Sequence, residues 1–230
     1  MKDILGNAIM DYYNYERKHI LWVHDHHGPK VEMPIETYFR RESQMPELEL
    51  KALSLCKGTI LDIGAGAGSH ALVLEDREME VTAMDISPQL VSVMEMRGVT
   101  KYIEADIFKY KEAQFDTLLL LMNGLGLVGN MEGLRRFLKH CKTLLKPNGQ
   151  LLFDSSDVAY LYEDDIPVMD EYYGEITCRY EYRKQKSDWF SWLYIDRKTL
   201  QLVADDEGWK MEFIMEDESG QYLVRLTPIV

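Results

Sequence analysis

Apolar positions recur along the chain at two spacings, and the switches between them predict alternating helices and strands. Ile4, Leu5, Ala8, Ile9, Tyr12 and Tyr13 share one helical face, so residues 3 to 18 read as an amphipathic helix that Asp3 can cap. His19 to Val23 and Val31 to Phe39 read as extended segments around the turn His26-His27-Gly28-Pro29, a candidate hairpin. A second helix runs from Met45 to about Cys56, with Pro46 in its first turn and Gly58 just past its end. Five apolar stretches then read as strands: Thr59 to Ile63, Val81 to Asp85, Val99 to Ala105, Phe115 to Met122 and Gln150 to Asp154. Between them, Ser87, Pro88 and Gly98 punctuate one helix, and Leu134, Phe137, Leu138, Cys141, Leu144 and Leu145 mark another that stops at Lys146-Pro147-Asn148-Gly149.

Parallel neighbours need crossovers, and the crossovers cover the sheet, so this alternation predicts an α/β fold, doubly wound, with helices on both faces. The near-continuous run Leu118 to Met122 suits a central strand buried on both sides. Further along, Ile176, Cys178, Tyr180 and Tyr182 alternate with polar residues and lead through a turn near Lys184 to Asp188 into Trp189–Tyr194, a hairpin. Asp196 can cap a helix carrying Leu200, Val203 and Ala204, and Trp209 to Glu216 with Gln221 to Leu226 form a closing hairpin. The whole is expected to be one domain, 1–230, with a mostly parallel seven-stranded sheet, a C-terminal antiparallel hairpin and a small β-rich insert after the fifth strand. Residues 1–44 should form part of a lid, and the insert at 158–195 should lie over the site.

The candidate chemistry sits where the first strand ends, in Asp62-Ile63-Gly64-Ala65-Gly66-Ala67-Gly68. Alternate glycines let the backbone turn tightly and approach a ligand, while the next helix presents free N–H groups. A dinucleotide fingerprint wants its third glycine three residues after the second; Ser69 stands there, which disfavours a nicotinamide-dependent oxidoreductase. Asp62 would repel a phosphate but attract an ammonium group. Asp85 ends the second strand twenty-one positions after Gly64, the place of an acid that accepts hydrogen bonds from ribose hydroxyls.

On these residues the chain resembles the class I S-adenosylmethionine-dependent methyltransferases, over about residues 45 to 230. The resemblance rests on Asp62 with Gly64, Gly66 and Gly68, on Asp85, on Asp106, on the strand ending at Asn123, and on Leu-Lys-Pro-x-Gly before the fifth strand. It implies S-adenosylmethionine as cofactor, S-adenosylhomocysteine as product, and a contact set of Asp62, Gly64, Ala65, Gly66, Gly68, Asp85, Ile86, Asp106, Ile107, Met122 and Asn123. Asp106 and Ile107 would border the adenine. Asn123-Gly124-Leu125-Gly126 lacks the Pro-Pro-aromatic motif of relatives that methylate base or amide nitrogens, which points away from those acceptors. A small-molecule acceptor is expected, with direct in-line transfer and no catalytic base identified; a non-catalytic module that binds the cofactor is the alternative. Arg40 or Arg41 could meet the cofactor's carboxylate, and Tyr12, Tyr13, Tyr172, Tyr173, Tyr180, Tyr182, Trp189 and Trp192 could wall a lid. His70 and His140 read as helix-surface residues.

Charge changes the picture in one respect. Twenty-six basic against thirty-nine acidic residues, a net charge of −13, disfavour a protein that holds nucleic acid by phosphate neutralisation. Cys56, Cys141 and Cys178 have neither disulfide-framework nor zinc spacing, and His24-Asp25-His26-His27 reads as a polar turn, so no metal site is expected. No apolar run approaches the roughly twenty residues of a membrane span, and no signal-peptide core follows Met1, so a cytoplasmic protein is expected. The oligomeric state has no signature in the sequence.

Overall fold

The chain is described by a computed structural model over residues 2–162 and 171–229. Its centre is β3 (Thr59–Ile63), which pairs in parallel with β4 (Glu80–Asp85) on one side and β6 (Phe115–Leu120) on the other. β4 is flanked by β5 (Tyr102–Glu104), and β6 by β7 (Leu145–Ser156), again in parallel. The closing hairpin, β11 (Trp209–Glu216) and β12 (Gln221–Pro228), adds antiparallel strands beyond β7. The order β11-β12-β7-β6-β3-β4-β5 makes seven strands, four pairings parallel and two antiparallel, in agreement with the expected sheet.

Side chains alternate across the sheet and divide into two cores. Leu61, Ile63, Leu118, Leu120, Leu151 and Phe153 pack under α5 (Met131–Leu144) and α6 (Arg197–Asp206), through Leu134, Phe137, Leu138, Leu200 and Val203. Ile60, Leu119 and Leu152 face the opposite way, onto α2 (Glu47–Leu55), α3 (Ser69–Asp76) and α4 (Pro88–Arg97). Each fully buried leucine contributes about 1.5–3 kcal/mol relative to exposure, so this alternation fixes the strand register.

Helix punctuation follows the sequence: Ser87 accepts from Leu90 N at 3.1 Å, Pro88 is the first residue of α4, and Gly98 ends it at φ 88°. The first helix is shorter than expected. α1 (Ile4–Tyr13) is capped by Asp3, which accepts from Gly6 N at 2.8 Å, but the chain leaves the helix at Asn14, and Tyr15 turns left-handed at φ 65°. The extended reading of Val31–Phe39 also fails in part. Only Val31–Glu32 is strand, β2, and Ile35–Phe39 coils into a 3-10 turn that buries Ile35. The third strand likewise shrinks from Val99–Ala105 to Tyr102–Glu104.

A second, antiparallel sheet is assembled from distant segments. β1 (Trp22–His24) pairs with β2 and also with β8 (Glu175–Tyr182), which pairs in turn with β9 (Gln185–Lys186) and β10 (Phe190–Leu193). Opposite residues in this register share a face, so Tyr180, Cys178 and Ile176 stand with Phe190 and Trp192 on one side, while Trp22, His24, Arg179 and Glu181 occupy the other. Residues 163–170, within the expected insert, lie outside the described residues. Among the described residues no helix is long and apolar enough to cross a membrane, and no group of three His, Cys, Asp or Glu side chains could hold a metal ion.

Candidate functional site

The parallel strands β3, β4, β5 and β6 end on one edge, and the turns that follow them build the site. After β3 the backbone runs left-handed at Gly64 (φ 70°), Gly66 (φ 59°) and Gly68 (φ 79°). Gly68 is needed twice over, since a Cβ there would also lie 2.7 Å from Val99. A Cβ on Gly64 would meet only Leu127, at 3.9 Å, which leaves that stretch open to a ligand. Tyr38 lies over the turn instead: a Cβ on Gly66 would be 3.0 Å from its ring, and its carbonyl accepts from Ser69 Oγ at 2.6 Å.

Asp85, at the end of β4, accepts from Gly66 N at 3.0 Å and from Ser87 N at 2.9 Å, one bond per carboxylate oxygen. Burial pushes it up to about 6, opposed by these N–H groups. The pair of bonds locks the two turns together and leaves further lone pairs for donors. Ser87 Oγ donates to Asp3, so the cap of α1 touches the same corner. Ile86, beside Asp85, is 69% exposed, an apolar surface at a strand end with nothing over it among the described residues. Across from it, Asp106 accepts from Phe108 N at 3.0 Å and pairs with Lys109 at 3.2 Å, and Ile107 is buried.

Asp62 is only 2% exposed, and its Oδ2 has no hydrogen-bond partner among the described residues. Burial raises it to about 6, with the His70 charge and the Ala71 N–H pulling the other way. An orphaned buried carboxylate oxygen is costly without a donor, and an ammonium group is a suitable one. Behind it lies an ionic chain that the sequence reading missed. His70 is buried, not on the helix surface, and its Nε2 is 2.9 Å from Glu49 Oε2; Glu49 Oε1 accepts from Arg40 at 2.5 Å. Burial favours protonated Glu49, but His70 and Arg40 together hold it below its ordinary value; burial likewise opposes a charged His70, which Glu49 and Asp62 overcome to raise it. Arg40 is therefore committed to Glu49. The signal for this chain was weak, because His70 and Glu49 are twenty-one residues apart on helices read as ordinary amphipathic ones.

At the exit of β6, Met122 and Asn123 are both left-handed, φ 63° and 54°. Their N–H groups donate to Asp154 at 3.1 and 2.9 Å. The aromatic face of the second sheet closes over these turns. Tyr180 and Tyr38 pack in one cluster with Ala67 of the glycine turn, the Tyr180 and Phe190 rings lie tilted against each other at 5.1 Å, and Phe190 meets Trp192 edge-on at 6.3 Å. Trp192 reaches Gly126, where any Cβ would collide with its indole. Tyr182 packs under α1, whereas Trp189 stacks on His26 at 4.5 Å and lies under Arg179 on the outer side. Tyr172 and Tyr173 pair with each other and hold Asp196 and Asp157. Tyr12 and Tyr13 stack on Phe39.

Comparison with known proteins places this arrangement. A family model described as a methyltransferase domain matches residues 61–153. A crystal structure of an S-adenosylmethionine-dependent methyltransferase from Bacteroides fragilis, in complex with S-adenosyl-L-homocysteine, is 45% identical, covers 100% of this chain and 96% of that one, and superposes with a TM-score of 0.92. The chain belongs to the S-adenosylmethionine-dependent methyltransferases. S-adenosylmethionine is thus the cofactor of its family, and the orphaned Asp62 oxygen and the open side of Gly64 fit that molecule. A ubiquinone biosynthesis O-methyltransferase of Xanthomonas oryzae is 28% identical over 110 residues, 45% of each protein; the chain matches less than half the length of that curated relative. DesVI of Streptomyces venezuelae, 14% identical with a TM-score of 0.61 over 79% of this chain and 90% of its own, shares the fold.

Proposed function

We propose that this methyltransferase transfers a methyl group from S-adenosylmethionine to a small molecule held between the aromatic face of the second sheet and the ends of the parallel strands. One observation carries the reading: the aromatic row from Tyr38 through Tyr180 and Phe190 to Trp192 begins at the glycine turn and ends at Gly126. A roof anchored on both cofactor-side turns favours a small acceptor over a polymer. The described residues within 1–44 and 158–195 together act as the lid of this site.

Asp62 takes the ammonium group of the methionine end, and Gly64, Ala65, Gly66 and Gly68 pass close beneath it. Asp85 accepts from the ribose hydroxyls through the lone pairs that Gly66 and Ser87 leave free. Ile86, Asp106 and Ile107 border the adenine, where the exposed Ile86 gains a flat apolar partner. Met122 and Asn123 line the side nearest the reacting centre. Bound there, S-adenosylmethionine supplies an electrophilic methyl group that passes to the acceptor's lone pair as its bond to sulfur breaks, leaving S-adenosylhomocysteine. The protein contributes alignment and exclusion of water, and no side chain is assigned as base.

The test is S-adenosylhomocysteine formation by the purified protein with the small-metabolite and macromolecular fractions of a cell extract, assayed separately. Product with the small metabolites is expected. Product with macromolecules alone overturns the small-molecule reading, and binding of S-adenosylhomocysteine without turnover in either fraction would favour a non-catalytic module.

A further inference from the structure

Asp154 lies near the end of β7 with no exposed surface, in a strand whose neighbours Leu152 and Phe153 fill the two apolar cores. An apolar residue would serve the fold there at lower cost, because a buried carboxylate is expensive unless its oxygens are satisfied. They are satisfied in a particular way: Oδ2 accepts from Met122 N at 3.1 Å, Oδ1 from Asn123 N at 2.9 Å, and the Gln221 amide of β12 donates to Oδ2 as well. Ser156, two residues further along β7, donates to the Asn123 side-chain oxygen at 3.1 Å. The two N–H groups belong to consecutive non-glycine residues in the left-handed region, a conformation that side chains disfavour and that only surrounding structure maintains.

We propose that Asp154 is a positioning residue whose carboxylate clamps the left-handed Met122–Asn123 turn in the shape the cofactor site requires. The inference rests on the reading that this turn borders the cofactor. Without the clamp the turn relaxes toward right-handed or extended backbone and withdraws from the ligand. The groups facing Asp154 are Glu49 and His70 from α2 and α3, Gln221 from β12 and the Met122 and Asn123 N–H groups. Burial, with the Glu49 charge, raises the Asp154 carboxyl to about 7. Protonation would turn one acceptor oxygen into a donor facing an N–H, so the clamp works in the ionised form.

Glycine adopts the left-handed region without strain, which gives a test that a merely structural role would not pass. S-adenosylhomocysteine is titrated calorimetrically into the wild type, D154N, M122G/N123G and M122G/N123G/D154N, with thermal melting of each. D154N should weaken binding by tenfold or more in the wild-type background and by less than threefold in the double-glycine background. Equal penalties in the two backgrounds, or an unchanged affinity for a folded D154N, overturn the proposal. If D154N does not fold but the triple variant folds and binds, the clamp is supported; if both are unfolded, Asp154 serves the fold alone and the proposal fails. A wild type that binds no S-adenosylhomocysteine refutes the cofactor-site reading, a result distinct from any of these.

Discussion

Lowering the pH should stabilise the ligand-free protein and weaken its hold on cofactor over the same interval. Asp62 and Asp85 are each raised by burial from 3.8 to about 6. Between those values the folded state binds more protons than the unfolded chain, so stability rises as pH falls. From pH 8 to pH 5 the gain is about 1.4 kcal/mol for each carboxyl, roughly 3 kcal/mol together, or roughly 6–12 °C in Tm for a chain of this size. Asp154, raised to about 7, and His70, also raised, act with the same sign. Glu49 and Asp116 are held low and lose their contribution only as pH drops below their ordinary values, 4.5 and 3.8. Cofactor binding should run the other way: in the proposed roles, an ammonium at Asp62 and ribose hydroxyls at Asp85 select the ionised forms, which at pH 5 are each about a tenth of the population. Affinity for S-adenosylhomocysteine should therefore fall about tenfold per carboxylate, about a hundredfold for the two, with protonation of the Asp154 clamp adding to the loss and proton release on binding. Calorimetry in buffers of different ionisation enthalpy, beside melting curves, measures both trends. An affinity flat between pH 8 and 5, or a Tm that declines along with it, would refute the reasoning.

Asp85→Ala should weaken S-adenosylhomocysteine by about 1–3 kcal/mol, the scale for charged hydrogen bonds, with an unaltered Kd removing Asp85 from the ribose site. Glu49→Gln leaves Arg40 and His70 without their shared counter-ion and should lower stability by about 3–5 kcal/mol in denaturant titration; a loss under 1 kcal/mol would show that the ionic chain is ornamental. Gly126→Ala drives a methyl group into Trp192 and should cost about 1–3 kcal/mol by overpacking, with a shifted tryptophan emission that Trp192→Phe abolishes. An unchanged spectrum would mean that Trp192 does not rest on the β6 exit.

The parallel sheet was legible because its information is local. Runs such as Phe115–Leu120, and punctuation such as Ser87, Pro88 and Gly98, act within a few residues, and the strand ends they define carry Asp62, Asp85 and Asp106. What escaped is non-local. Nothing near His70 announces that Glu49 will meet it, so an amphipathic helix could as well have left it exposed. The pairing of Trp22 with Glu181 depends on no turn signal, and Tyr38 covers Gly66 only because Ile35–Phe39 coils where alternation suggested a strand. Asp154 read as the last residue of a strand, since its partners are two N–H groups whose left-handed backbone no side chain pattern reveals.

The mixed parentage of the second sheet sets an order of events during synthesis. β1 pairs with β8, and the His24 side chain meets Glu181 across 157 residues, so an early strand waits for a much later one. At about 5–20 residues per second that interval is on the order of ten seconds or more. The strands from β3 to β7 can meanwhile come together through nearer contacts. Ligand recognition would then precede roof closure in the life of each molecule, and S-adenosylmethionine in the surrounding solution would be available to act as a folding template before the second sheet covers the turns.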